Sequence, residues 1–85
     1  MLLKEESLKN FAPNLKIRRK NAHLSQTQVA KILGISPSTY ISYERGKSYP
    51  TLPNLIKILH LFGVSIEDLM RDGPSASYLR HMHFR

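Results

Sequence analysis

Ser25-Gln26-Thr27-Gln28 and Ser36-Pro37 are two helix starts with one helix stop, Gly34, between them. That punctuation constrains the chain more than any other feature. A serine followed three residues later by glutamine has the form of a capping box, with Ser25 at the N-cap and Gln28 at the third helical position. The helix it opens carries Val29, Ala30 and Leu33 on one face, the spacing of an amphipathic helix. Gly34 then supplies the left-handed residue on which such helices commonly end. Ser36 restarts the pattern as an N-cap, with Pro37 at the first helical position, where its missing N–H costs nothing. Two short helices therefore follow one another with only Gly34-Ile35-Ser36 in which to turn.

The same kind of punctuation recurs along the chain. Pro13 suits the first turn of a helix that leads into Leu15, Ile17 and Ala22. Thr51 is placed to cap a fourth helix, in which Leu52, Leu55, Ile56, Leu59 and Phe62 repeat at helical spacing before Gly63. Ser65-Ile66-Glu67-Asp68 opens a fifth, with an acidic residue at its third position. No stretch alternates as a strand would. The expected fold is all-α, a compact five-helix domain over residues 13–70. Residues 1–12 form an N-terminal extension that could be helical, offering Leu3, Leu8 and Phe11 for packing. Gly73-Pro74-Ser75 breaks the pattern, leaving 71–85 as a basic tail or a dimerisation element.

Composition excludes several functions. Eighty-five residues make one domain at most, with too small a core for a deep substrate cleft. There are no cysteines, which rules out disulfides and thiolate zinc sites. No run approaches the roughly 18 apolar residues of a membrane span, and the charged start Lys4-Glu5-Glu6 is unlike a secretory signal. A cytoplasmic protein is the expectation. His81-x-His83 lacks a nearby carboxylate or thiol to complete a metal site, and His23 and His60 read as surface or boundary residues. No nucleophile–base order, phosphate loop or carboxylate pair appears, so no enzyme and no cofactor is expected. The net charge of +7 is unevenly spread, with eight basic side chains against three acidic ones between residues 13 and 70. A basic folded region favours a polyanionic partner.

Two helices joined by a tight glycine-containing turn form a helix-turn-helix arrangement. Stepping about 100° per residue along the second of them puts Tyr40, Tyr43 and Glu44 on one side and Ser38, Ile41, Ser42 and Arg45 on the other. The tyrosines belong to the core side. Short hydroxyls and a methyl-rich residue on the opposite side fit a surface that approaches base edges closely, although a merely solvated face would share that composition.

The segments "LSQTQVAKILGIS", "YERGKSYPT" and "LIKILHLFGVSIEDLM", in that order within residues 14–70, resemble the phage repressor and Cro-like helix-turn-helix family of the xenobiotic-response-element type. The resemblance covers about two-thirds of the chain. It implies a lambda-repressor-like domain whose third helix enters the major groove of double-stranded DNA while the second lies across the backbone. Pro37, Ser38, Ile41 and Ser42 would then face the bases. Ser25, Gln26, Tyr43, Arg45 and Lys47 would contact phosphate, joined at the rim by Lys16, Arg18 and Lys20 or leaving those three simply solvated. Arg19 and Glu44 would form a structural pair tying the first helix to the end of the third. Departures from the family pattern are Pro37, which cannot hydrogen-bond a base, and Arg18, which stands where an aliphatic residue is usual. The functional expectation is a transcriptional regulator of prokaryotic or phage type, a repressor acting as a homodimer on a palindromic operator in the nucleoid. Its dimer contact is sought on the fifth helix and residues 71–85. The alternatives are the antitoxin of a toxin–antitoxin pair and a protein-bridging module that has lost DNA contact.

Overall fold

Five helices form among the described residues, three of them with the side-chain caps their sequences suggest. The structure, a computed structural model, describes residues 9–71. Its helices are α1 (Phe11–Asn21), α2 (Gln26–Leu33), α3 (Pro37–Glu44), α4 (Leu52–Phe62) and α5 (Ile66–Met70), with no strand among the described residues. Ser25 caps α2 with a complete box: its hydroxyl accepts from Gln28 N–H at 3.0 Å, and the Gln28 side-chain Oε1 accepts from Ser25 N–H at 2.7 Å. Ser65 and Asp68 do the same for α5, at 3.2 and 2.9 Å. The Ser65 backbone N–H holds the Asp68 carboxyl below its ordinary value. Thr51 occupies the N-cap of α4, yet its side chain makes no capping bond there.

One apolar cluster holds the helices together, built from Phe11, Leu15, Val29, Ala30, Leu33, Tyr40, Tyr43, Ile58 and Leu69. The two central helices α2 and α3 pack on each other, α1 packs on α3 and α5, and α4 lies against α2. The first helix begins at Phe11, ahead of the boundary expected at residue 13. Phe11 is 1% exposed, so it belongs to the core and not to an extension. Of the apolar residues that follow Pro13, Leu15 is buried, whereas Ile17 and Ala22 face solvent and Arg18 is half-buried. Residues 1–8 of the N-terminal extension lie outside the described residues, as do residues 72–85 of the basic tail with the His81–His83 pair.

The largest revision concerns α4. Leu52 and Ile56 were expected to face inward, but they are 68% and 45% exposed, and Ile58 is the fully buried residue. Eight of the eleven positions of LPNLIKILHLF are apolar, so the helix offers two overlapping stripes. Packing against α2 selects the one running through Leu55, Ile58, Leu59 and Phe62, a regular i, i+3, i+4, i+7 spacing. The difference is measurable. Ile58→Ala should destabilise by about 2–5 kcal/mol, the cost of deleting a buried aliphatic side chain, whereas Leu52→Ala should change stability by about 0.5 kcal/mol or less. Denaturant melts of the two variants check this, and equal losses would refute the choice of stripe.

Two asparagines close the domain. Asn14, only 7% exposed, donates from Nδ2 to the carbonyls of Leu69 at 3.0 Å and Arg71 at 3.2 Å. Asn10 stands at the N-cap of α1, but its amide reaches the Met70 carbonyl at 3.2 Å instead of capping. Carbonyls at the end of α5 that have no partner within that helix are thereby satisfied by α1.

Candidate nucleic-acid interface

The turn between α2 and α3 is set by local chemistry. Gly34 adopts φ 74°, ψ 32°, the left-handed region that costs glycine nothing. Its N–H donates to Lys31 O at 3.1 Å and that of Ile35 to Ala30 O at 3.0 Å, closing the last turn of α2. Ser36 then caps α3, its hydroxyl accepting from Thr39 N–H at 3.1 Å, with Pro37 at the helix start. The two helices thus meet through Gly34-Ile35-Ser36, the segment in which the sequence placed the turn.

Along α3, Tyr40 and Tyr43 are buried, at 0% and 4% exposure, and their rings meet edge to face at 6.1 Å. Pro37, Ser38, Thr39 and Arg45 are exposed, while Ile41 and Ser42 are half-buried on the outer side. Lys47 is exposed in the loop that follows. That loop folds back because Gly46 takes φ 71°, which lets the Lys47 N–H donate to Ser42 O at 2.9 Å. Five short hydroxyls line this surface: Ser36, Ser38, Thr39, Ser42 and Ser48. Thr39 and Ser48 were not singled out in the sequence. Thr39 sits in the first turn of α3, where the helix is open on most sides, a position that angular stepping from the core tyrosines does not flag.

Glu44 is the only carboxylate in the α2–α3 pair and its loop, and it is turned inward. Its side chain is 2% exposed and Arg19's is 10%. Four donors converge on it. Arg19 Nε reaches Oε2 at 2.7 Å and Nη2 reaches Oε1 at 3.1 Å, a bidentate fork. Tyr40 donates its hydroxyl to Oε2 at 2.5 Å, and Gln26 Nε2 donates to Oε1 at 3.1 Å. Arg19 Nη1 also donates to Leu24 O at 2.9 Å, fixing the start of α2 to the same guanidinium. Burial pushes the Glu44 carboxyl up, but the bonds from Arg19, Tyr40 and Gln26 outweigh it and hold the group below its ordinary value. The bond to Glu44 raises Arg19, and burial raises the Tyr40 hydroxyl well above the ordinary phenol range. One cluster therefore joins α1, α2 and α3 and cancels the one negative charge close to the outer surface.

The other residues expected to meet phosphate are placed as follows. The hydroxyl oxygen of Ser25 is engaged in its capping bond, and its proton is not used there. Gln26 is half-buried and spends one amide N–H on Glu44. The Tyr43 hydroxyl accepts a long bond from Asn54 Nδ2 at 3.4 Å. Lys16, Lys20, His23 and His60 are exposed. No group of three or more metal-ligating side chains occurs among the described residues. No helix of the described residues is long and apolar enough to cross a membrane.

The helix-turn-helix family model matches residues 15–69. The cryptic phage CTXphi transcriptional repressor RstR of Vibrio cholerae is 32% identical over 65 residues, which cover 76% of this chain and 59% of that protein. An uncharacterised helix-turn-helix transcriptional regulator of Methanocaldococcus jannaschii is 46% identical over 55 residues, covering 65% of this chain and 83% of its own length. In solution structure, the SOS-response transcriptional repressor LexA of Eubacterium rectale superposes with a TM-score of 0.73 over 86% of this chain and 78% of that one. At 23% identity, that likeness speaks for the fold. The chain thus spans little more than half the length of the phage repressor. The chain belongs to the helix-turn-helix family of transcriptional regulators.

Proposed function

We propose that this chain binds double-stranded DNA in a sequence-specific way and regulates transcription as a repressor, acting as a homodimer on a two-fold-symmetric operator in the cytoplasm. The observation that carries the reading is the asymmetry of α3. Its outer side presents small hydroxyl side chains and Ile41 beside Arg45 and Lys47, and its one carboxylate is turned inward and neutralised. Small side chains let a helix lie deep in the major groove, where hydroxyls can meet donor and acceptor groups and Ile41 a thymine methyl. Pro37, Ser38, Ile41 and Ser42 read bases in this reading. Ser25, Gln26, Tyr43, Arg45 and Lys47 hold phosphate, with the unspent protons of Ser25, Gln26 and Tyr43 available as donors. The names of the relatives support repression. A dimer would place two α3 helices about 34 Å apart on one face of the duplex.

Selection of bound sequences from a random duplex pool tests the whole reading, since it reports binding, motif and half-site spacing together. A palindromic motif supports the dimer; recovery of no enriched sequence refutes sequence-specific binding. Copurification with a small partner protein would turn the reading toward an antitoxin. Within the selected motif, Ser38→Ala should relax preference at one base position per half-site. Lys47→Ala should weaken all sequences alike and reduce the salt slope by about 1 per copy. A Lys47→Ala variant that changed the motif while keeping the slope would reverse these assignments.

A further inference from the structure

A free serine hydroxyl carries one proton and two lone pairs, so it can donate to a keto group or accept from an amino group and by itself distinguishes neither. Ser42 is not free. Its hydroxyl donates to the Thr39 carbonyl one turn back, at 3.1 Å. Ser42 and Ser48 also share a short hydroxyl–hydroxyl bond. The arrangement that satisfies both bonds at once gives the Ser42 proton to Thr39 and the Ser48 proton to Ser42. The Ser42 oxygen has therefore donated inward, accepted from the loop, and keeps one lone pair. Ser38 differs: its oxygen lies 3.4 Å from that of Ser36, and either can be the donor.

We propose that Ser42 reads the operator as an acceptor only. On the strand it faces, it selects an exocyclic amino group, N6 of adenine or N4 of cytosine, against O6 of guanine or O4 of thymine. A keto oxygen would meet a lone pair, and turning the hydroxyl to donate would break the bond to Thr39 and disturb the one from Ser48. Pro37 makes no hydrogen bond to a base, so this one polarised serine carries a large share of the direct readout. The proposal rests on the reading of α3 as the base-reading helix.

The test is a cycle between protein and DNA. In a selected operator, the position where Ser42→Ala levels the base preference marks the contact. There the amino group is deleted, with purine replacing adenine or 2-pyrimidinone replacing cytosine. Deletion should lower wild-type affinity roughly 2- to 10-fold, the worth of one net hydrogen bond, and leave Ser42→Ala unaffected. Weakened base pairing acts equally on both proteins and cancels in the cycle. Replacing the purine of that pair by its 7-deaza form, which removes an acceptor, should affect both proteins alike. Coupling of Ser42 to the 7-deaza change would make it a donor and overturn the proposal. So would a Ser42→Ala variant that alters preference nowhere, or one that couples to neither change; in those cases DNA binding itself still stands. Wild-type protein that enriches no sequence would instead refute the reading beneath it.

Discussion

Glu44→Ala should destabilise the domain by on the order of 3–5 kcal/mol and weaken DNA binding, although it removes a negative charge from a basic protein. Long-range electrostatics alone gives the opposite sign, because a more positive surface attracts DNA more strongly. Geometry decides between the two. Glu44 accepts from Arg19 twice, from Tyr40 and from Gln26, so its removal leaves a guanidinium, a phenol and an amide short of partners at once. Arg19 would keep only its bond to Leu24 O, and its side chain is 10% exposed, too buried for water to replace the carboxylate fully. A loss of that size is a large share of a small domain's stability. The C-terminal end of α3 would lose its tie to α1, and DNA affinity would fall with the folded fraction. Glu44→Gln keeps an acceptor for Tyr40 but presents an amide to Arg19, so it should lie between wild type and alanine. Thermal melting and operator titration on the same samples decide the matter. An unchanged melt with tighter binding would refute the structural role.

The same cluster sets a pH signature. Glu44 is held below its ordinary value, so its contribution to stability is present above about pH 4.5 and is lost as pH falls through the lowered value. Asp68 shifts in the same direction and adds to acid sensitivity. Tyr40 is shifted upward, so its contribution is complete below pH 10.0 and declines only above it. Stability should therefore weaken on the acid side first. Glu44→Gln should flatten the part of that decline that belongs to the carboxylate.

What was legible in the sequence was mostly local. The capping boxes at Ser25 and Ser65, the stop at Gly34 and the restart at Ser36-Pro37 are set by bonds spanning a few residues, and the structure places each where the sequence indicated. The inward side of α3 was also readable, because its two large aromatic residues lie on one arc and its serines on another. Choices made by a distant partner were not readable. In α4 eight of eleven side chains are apolar, so periodicity leaves two stripes, and packing into the shared core selects Ile58 over Leu52 and Ile56. Asn14 looks like a surface residue until α5 arrives with carbonyls to satisfy. The polarity of Ser42 depends on Ser48, which lies in a loop whose return path is set by Gly46, a contact that no helical periodicity encodes. The Arg19–Glu44 pair was inferred from resemblance; the additional donors from Tyr40 and Gln26 emerge only once three helices converge.

Affinity for duplex DNA should collapse with salt, by roughly four orders of magnitude between about 50 and 200 mM, if the chain binds as proposed. Each phosphate neutralised by a lysine or arginine releases condensed counterions, so the logarithm of the binding constant falls linearly with the logarithm of salt, by about 0.9 per contact. A dimer making on the order of eight contacts would show a slope near −7. Exposed Arg45 and Lys47, with exposed Lys16 and Lys20 on α1, supply the four contacts per copy assumed in that slope. The neutral donors of Ser25, Gln26 and Tyr43 release no counterions, so they add affinity without steepening the slope. This distinguishes dimer from monomer: a single copy with the same contacts would give a slope near −3.5 on that scaling. Titration of one labelled duplex at several salt concentrations measures it directly. Affinity flat across that range would refute DNA binding through this surface, and a shallow slope on a full palindrome would refute the dimer.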